Sequence, residues 1–262
     1  MKKKTSARLS SASQELLYGV NPLLEALRAG DRVPTEIVLA EGARDDRLRE
    51  LIELARSRNV VIKRAQRSTI DRAVGNTHHQ GVMARVAAAR YADTGDLLSA
   101  IALGVGGKTE PLVVVLDGVE DPRNLGAILR TAECAGVNGV FVPERRAAGL
   151  TDAVAKAAAG AVEHVPVARA TNLSRLIEQL KERNVWVVGT VADASMNYID
   201  WDWTRPSAVV LGGEGAGLHR LVRENCDVLV RIPLCGKIQS LNVSVAAGII
   251  LYEALRQRSI AP

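Results

Sequence analysis

Apolar and polar positions follow two rhythms along this chain. Leu48, Leu51, Ile52 and Ala55 recur at i, i+3, i+4 and i+7, the spacing of an amphipathic helix, and Leu173, Leu176, Ile177 and Leu180 repeat it. Between such stretches stand short apolar runs, which predict strands over 36–40, 60–62, 82–86, 112–116, 140–142, 164–167, 185–191, 208–211 and 228–232. The run at 60–62 reads as a buried strand. Asn21-Pro22 looks like a helix start, with Asn as cap and Pro in the first turn, and Gly30 like its stop. Further helices are predicted over 124–135, from 152, over 173–183 and over 242–257. Strands alternating with helices imply an α/β fold with a mostly parallel sheet, and in such sheets ligands bind beyond the carboxyl ends of the strands.

The pattern divides the chain. Residues 1–15 read as a basic, disordered tail and 16–88 as a small α/β layer. Residues 89–110, with Gly104-Val105-Gly106-Gly107-Lys108, read as a linker holding one short helix, and 111–262 as the larger domain. With hydrophobic residues at 47% and a single Phe, the core must be aliphatic. The formal charge of +5 is uneven: residues 1–90 carry 17 Lys+Arg against 10 Asp+Glu, whereas 91–262 carry 17 against 19. A basic first block suits a polyanionic partner. The cysteines, Cys134, Cys226 and Cys235, are odd in number and lack C-x-x-C spacing, so reduced thiols in a cytoplasmic protein are expected, with no metal site. No apolar run approaches the ~20 residues of a membrane helix, and the Lys-rich start lacks the apolar core of a signal peptide.

Three motifs fall at predicted strand ends. The first, Asp121-Pro122-Arg123-Asn124-Leu125-Gly126-Ala127-Ile128-Leu129-Arg130, places Asn124 as a helix cap and Leu125, Ile128, Leu129 and Ala132 as a buried stripe. Arg130 lies off that stripe, on a rigid helix from which a guanidinium can clamp a phosphate. The second, Leu211-Gly212-Gly213-Glu214-Gly215-Ala216-Gly217-Leu218, gives a loop whose backbone can approach a ligand closely. It is no P-loop, and residue 218 is Leu where a dinucleotide fingerprint needs a third Gly. The third runs from Ile232 through Leu234, Ser240, Leu241 and Asn242 to Gly248, a strand end leading into a helix of small residues, with Ser240 or Asn242 as its cap.

In this order and at these separations, the motifs resemble those of the SPOUT superfamily, specifically its TrmH-type RNA 2′-O-ribose methyltransferases. Leu17-Tyr18-Gly19-Val20-Asn21-Pro22 and His79-Gln80-Gly81-Val82 are similar to the L30e-like substrate-binding domain of the 23S rRNA guanosine 2′-O-methyltransferase subgroup. The resemblance implies a deep trefoil knot in the C-terminal domain and S-adenosylmethionine bound by its loops. Gly212, Ile232 and Leu241, with Gly217 and Leu234, would line the cofactor site. Arg130 would be the catalytic base, and Asn124, Glu214, Ser240 and Asn242 the polar groups around it. It further implies a homodimer acting on 23S ribosomal RNA, at a guanosine of the peptidyl-transferase region (the P-site loop). A tRNA or another rRNA nucleotide as target, or a relative that binds RNA without catalysis, are the competing readings. The L30e-like block disfavours the tRNA enzymes, which commonly lack it.

Overall fold

The structure, a computed structural model, describes residues 14–43, 46–75, 78–213, 215 and 217–260. Contacts divide the chain into two compact units, 1–88 and 89–262.

The first unit alternates strand and helix: β1 (Gln14–Tyr18), α1 (Val20–Ala29), β2 (Glu36–Ala40), α2 (Asp46–Ser57), β3 (Val61–Ala65), α3 (Arg67–Val74) and β4 (Val82–Ala87). Its sheet order is β1-β4-β2-β3, antiparallel except for the parallel pair β2–β3. Gly30 ends α1 in the left-handed conformation that favours glycine, φ 88°. The start of α1 departs from expectation. Gly19, not Asn21, is the cap residue, and Asn21 lies inside the first turn. The cap acceptor comes from far along the chain, because the Gln80 side chain takes the Val20 N–H at 2.9 Å. The run at 60–62 is also corrected. Val60 is buried, but Val61 is 54% exposed because β3 is an edge strand. Strand β1 and helix α3 were not predicted, since neither carries a clear period. His79 is fully buried; its Nδ1 accepts the Gly81 N–H, which leaves Nε2 to donate to Asp71 at 2.8 Å.

The second unit comprises α4 (Thr94–Gly104), β5 (Leu112–Asp117), α5 (Pro122–Cys134), β6 (Gly139–Pro143), α6 (Asp152–Ala157), β7 (Val167–Ala170), α7 (Leu173–Lys181), β8 (Trp186–Thr190), β9 (Met196–Asn197), β10 (Ser207–Gly212), α8 (Arg220–Asn225), β11 (Val228–Arg231) and α9 (Val243–Ile260). Its sheet is wholly parallel, ordered β7-β6-β5-β10-β8-β11-β9. All six residues of β5 are buried, as a central strand covered on both faces must be. One face packs α5, α6 and α9 through Leu125, Ile128, Leu129, Val154, Ala247 and Ile250. The other packs α4, α7 and α8 through Leu97, Ile101, Leu176, Ile177 and Val222. The stretch 89–110, expected as a linker, therefore belongs to this unit: α4 buries Leu97, Leu98 and Ile101 in its core. The strand expected over 164–167 begins only at Val167, because 161–163 forms a 3-10 turn.

Helix α5 begins earlier than expected. Asp121 is its cap, accepting the Arg123 N–H at 2.7 Å, and Pro122 occupies the first turn. Asn124 is thus inside the helix and buried, which frees its side chain to face another element. Gly126 sits where α5 crosses α6: a Cβ there would lie 2.4 Å from the Ala157 Cβ.

Candidate active site

The carboxyl ends of β5, β8, β10 and β11 lie side by side in the sheet. The segments that follow β8, β10 and β11 border a cavity of about 710 Å³. The loop after β10 contributes Gly212, Gly213, Gly215 and Gly217. The segment after β11 contributes Ile232, Leu234 and the run Gln239-Ser240-Leu241-Asn242. All five residues expected to line a cofactor site border this one cavity: Gly212, Gly217, Ile232, Leu234 and Leu241. Ser240 and Asn242 border it too.

The glycines are required by geometry as well as by access. A Cβ on Gly212 would lie 2.2 Å from the Gly217 carbonyl carbon, so two stretches of bare backbone cross here. Gly217 itself has φ 64°, a region most side chains avoid. Gly213 has no room for a side chain either: its Cβ would lie 2.1 Å from the Gly118 carbonyl oxygen.

Asn242 caps α9. Its Oδ1 accepts the Ser244 N–H at 2.9 Å and the Ser244 hydroxyl at 2.6 Å. Its Nδ2 donates at 3.0 Å to Oδ1 of the buried Asn124. The first and third motifs, 118 residues apart, are thereby joined by one side-chain hydrogen bond. Arg130, two turns beyond Asn124 on α5, is exposed; it does not border the cavity and makes no ion pair among the described residues. Glu214 lies outside the described residues.

Sequence reasoning missed the contribution of β8. Thr190, Val191, Ala192 and Asp193 form one wall of the cavity. Thr190 Oγ1 is buried without a hydrogen-bond partner among the described residues, an open polar position beside the cavity. Arg223 of α8 closes that side by pairing with Asp193 at 2.9 Å, and its guanidinium holds the Asp193 carboxyl below its usual range. Nothing in the local sequence marks these residues, because their position follows from strand order. Beyond β5, Asp117 is buried and engages His219 twice, through the backbone N–H at 2.7 Å and the ring Nδ1 at 2.8 Å. Among the described residues no group of three or more His, Cys, Asp or Glu is placed to hold a metal ion, and no helix is long and apolar enough to cross a membrane.

Comparison with known proteins agrees with this geometry. Residues 111–252 match the SpoU rRNA Methylase family, and residues 16–92 match the domain described as RNA 2′-O ribose methyltransferase substrate binding. The chain belongs to the SpoU rRNA methylase family. It is an RNA methyltransferase carrying both the catalytic and the substrate-binding part of that family's plan. Among its relatives is the 23S rRNA (guanosine-2′-O-)-methyltransferase RlmB of Pseudomonas syringae, 45% identical over 94% of this chain and 96% of that one. The Escherichia coli RlmB is 43% identical over 94% of this chain and 99% of that one. Among solved structures, the SpoU methyltransferase AviRb from Streptomyces viridochromogenes, in complex with the cofactor AdoMet, superposes with a TM-score of 0.76 at 26% identity, covering 98% of this chain and 96% of that one.

Proposed function

We propose that this enzyme uses S-adenosylmethionine to methylate the ribose 2′-oxygen of a guanosine in 23S ribosomal RNA, in the peptidyl-transferase region. One observation carries the reading: residues from separate motifs, Gly212, Gly217, Ile232, Leu234 and Leu241, line a single cavity at the carboxyl edge of a parallel sheet. The cavity suits the cofactor. Leu211, Leu218, Ile232, Leu234 and Leu241 offer an apolar seat for a purine, the glycine backbone permits close approach, and Thr190 Oγ1 awaits a polar partner. When bound, S-adenosylmethionine supplies an activated methyl group, so the chain's own task is to position the acceptor and take up its proton.

Asn242 and Ser240 border the cavity where the ribose would enter, and Asn124 fixes the orientation of Asn242. Arg130 is the group we assign to the acceptor's hydroxyl and phosphate. An arginine is protonated under ordinary conditions, so its part is to orient the hydroxyl and share its proton with the adjacent phosphate. Since Arg130 is exposed and apart from its own chain's cavity, we assign it to the cavity of a second copy in a homodimer. Val245 and Tyr252, seven residues apart on α9 and each about half exposed, support such an apolar interface.

The basic first unit supports the RNA partner, and the three free thiols, Cys134, Cys226 and Cys235, suit the cytoplasm. The knot belongs to the same proposal. Insertion of β10 between β5 and β8, with α9 returning to pack on α5, supports a chain path of that kind.

Arg130→Ala tests the assignment. Methyl incorporation into 23S rRNA should fall at least about 100-fold, within the usual span of a lost proton-transfer group, while calorimetric titration shows S-adenosylmethionine still bound. Full turnover by the variant would remove Arg130 from the site.

A further inference from the structure

A second cavity, of about 400 Å³, adjoins the first, and Gly213, Gly217 and Val243 line both. Its polar and charged lining residues are Asp117, Glu120, Asp121, Asn124, Arg146 and His219. Most are already engaged. Asp117 is bound to His219, Asp121 caps α5, and Asn124 accepts from Asn242. Glu120 and Arg146 differ. Both are exposed, both line the cavity, and neither makes an ion pair or side-chain hydrogen bond among the described residues. Opposite charges bordering one cavity without pairing leave a five-donor fork and a carboxylate acceptor facing the same space. The Arg146 backbone is also unusual: φ is 56°, a left-handed conformation that residues other than glycine rarely adopt and that tends to occur at functional sites.

We propose that this cavity holds the base of the acceptor guanosine, read by Arg146 and Glu120. The proposal rests on the guanosine reading above and adds the residues that would select that base. Guanine presents acceptors at O6 and N7, which match a guanidinium, and donors at N1 and the 2-amino group, which match a carboxylate. Adenine reverses the pattern: its 6-amino group would face Arg146, and its N1 lone pair would face Glu120. A site of this kind rejects the wrong base because its own polar groups would be left unpaired. The common wall at Gly213 and Gly217 would set the ribose at the junction of the two cavities, beside Asn242.

The test replaces single atoms of the acceptor in an rRNA fragment. Inosine lacks the 2-amino group that would face Glu120, and 7-deazaguanosine lacks only the N7 acceptor that would face Arg146. The wild-type enzyme should lose at least about tenfold in kcat/KM on each, in line with one good base contact. Glu120→Gln should erase most of the guanosine-over-inosine preference. Arg146→Gly, which suits the left-handed backbone, should erase most of the guanosine-over-7-deazaguanosine preference. In both variants the Kd for S-adenosylmethionine should stay within about twofold of wild type, showing that fold and cofactor cavity are intact. If both variants keep the wild-type preferences while methylating guanosine, the base-reading proposal alone is overturned. If the wild-type enzyme methylates no guanosine in 23S rRNA, the guanosine reading fails and this proposal fails with it.

Discussion

The hydrogen bond between Asn124 and Asn242 ties the helix of the first motif to the cap of the last, and it can be dissected energetically. Asn242 does two things at once: Oδ1 caps α9 through Ser244, and Nδ2 donates to Asn124. Asn242→Ser retains a capping oxygen but removes the donor. Asn124, buried at 7% exposure, then loses one hydrogen-bond partner, at a cost of about 1 kcal/mol. Asn242→Ala removes the cap as well, adding about 1 kcal/mol. Asn124→Ala removes the acceptor from the other side. Because both single changes break the same bond, the double variant Asn124→Ala/Asn242→Ser should be less destabilised than the sum of its parents, with a coupling of about 0.5–1.5 kcal/mol. Urea unfolding of the three proteins and the parent, followed by far-UV circular dichroism, measures this. The cycle should be accompanied by a fall in kcat, with S-adenosylmethionine affinity nearly unchanged in the serine variant. Strict additivity within about 0.3 kcal/mol would mean that the two amides do not interact in solution and that the site is not braced in this way.

Two further outcomes follow from the geometry. Gly212→Ala forces a Cβ to within 2.2 Å of backbone at Gly217, so the loop must move; S-adenosylmethionine binding should weaken at least about tenfold, a loss of ~1.4 kcal/mol, as read by calorimetry. Cys226 is mostly buried beside Asp227, and burial, followed by the negative charge of that neighbour, pushes its thiol up to about 12. A thiol raised in the folded state contributes its full stability below the unfolded-state value near 8.5 and loses it as pH rises toward 12. Unfolding free energy should therefore fall by about 1 kcal/mol more between pH 8.5 and 10 in the parent than in Cys226→Ala, after discounting for partial solvent access. Equal slopes in the two proteins would refute it.

Most of the second unit could be read in the sequence because its strands are short, apolar and buried on both sides, and because α7 keeps a strict period. The first unit was less legible, for a physical reason. β1 and β3 are edge strands, so half their residues meet solvent and the apolar run disappears: Val61 is exposed, and Lys63 and Arg64 follow it. Caps misled wherever the capping group is not the nearest candidate. Asn21 and Asn124 both look like caps, yet Gln80 serves the first helix from 60 residues away, and Asp121 serves α5. That second displacement shapes the candidate site. Only because Asp121 caps the helix can Asn124 turn inward and hold Asn242.

The site itself was legible only where backbone and small residues dominate. Gly212, Gly217, Ile232, Leu234 and Leu241 are held in motifs whose local composition is unusual, so they could be named before any fold was known. Thr190 and Asp193 could not, because β8 reaches the cavity only through its place between β10 and β11, and no local pattern encodes strand order. The same logic explains Arg146. It follows β6, in a stretch of mixed charge that reads as an ordinary surface loop. Its meaning comes from the crossing at Gly118 and Gly213, where two loops pass too closely for any side chain and bring Glu120 and Arg146 to the same cavity. By letting strand-end loops cross as bare backbone, the glycines divide the sheet's carboxyl edge into two adjoining cavities, the arrangement that the proposed transfer between a bound donor and a separate nucleotide requires.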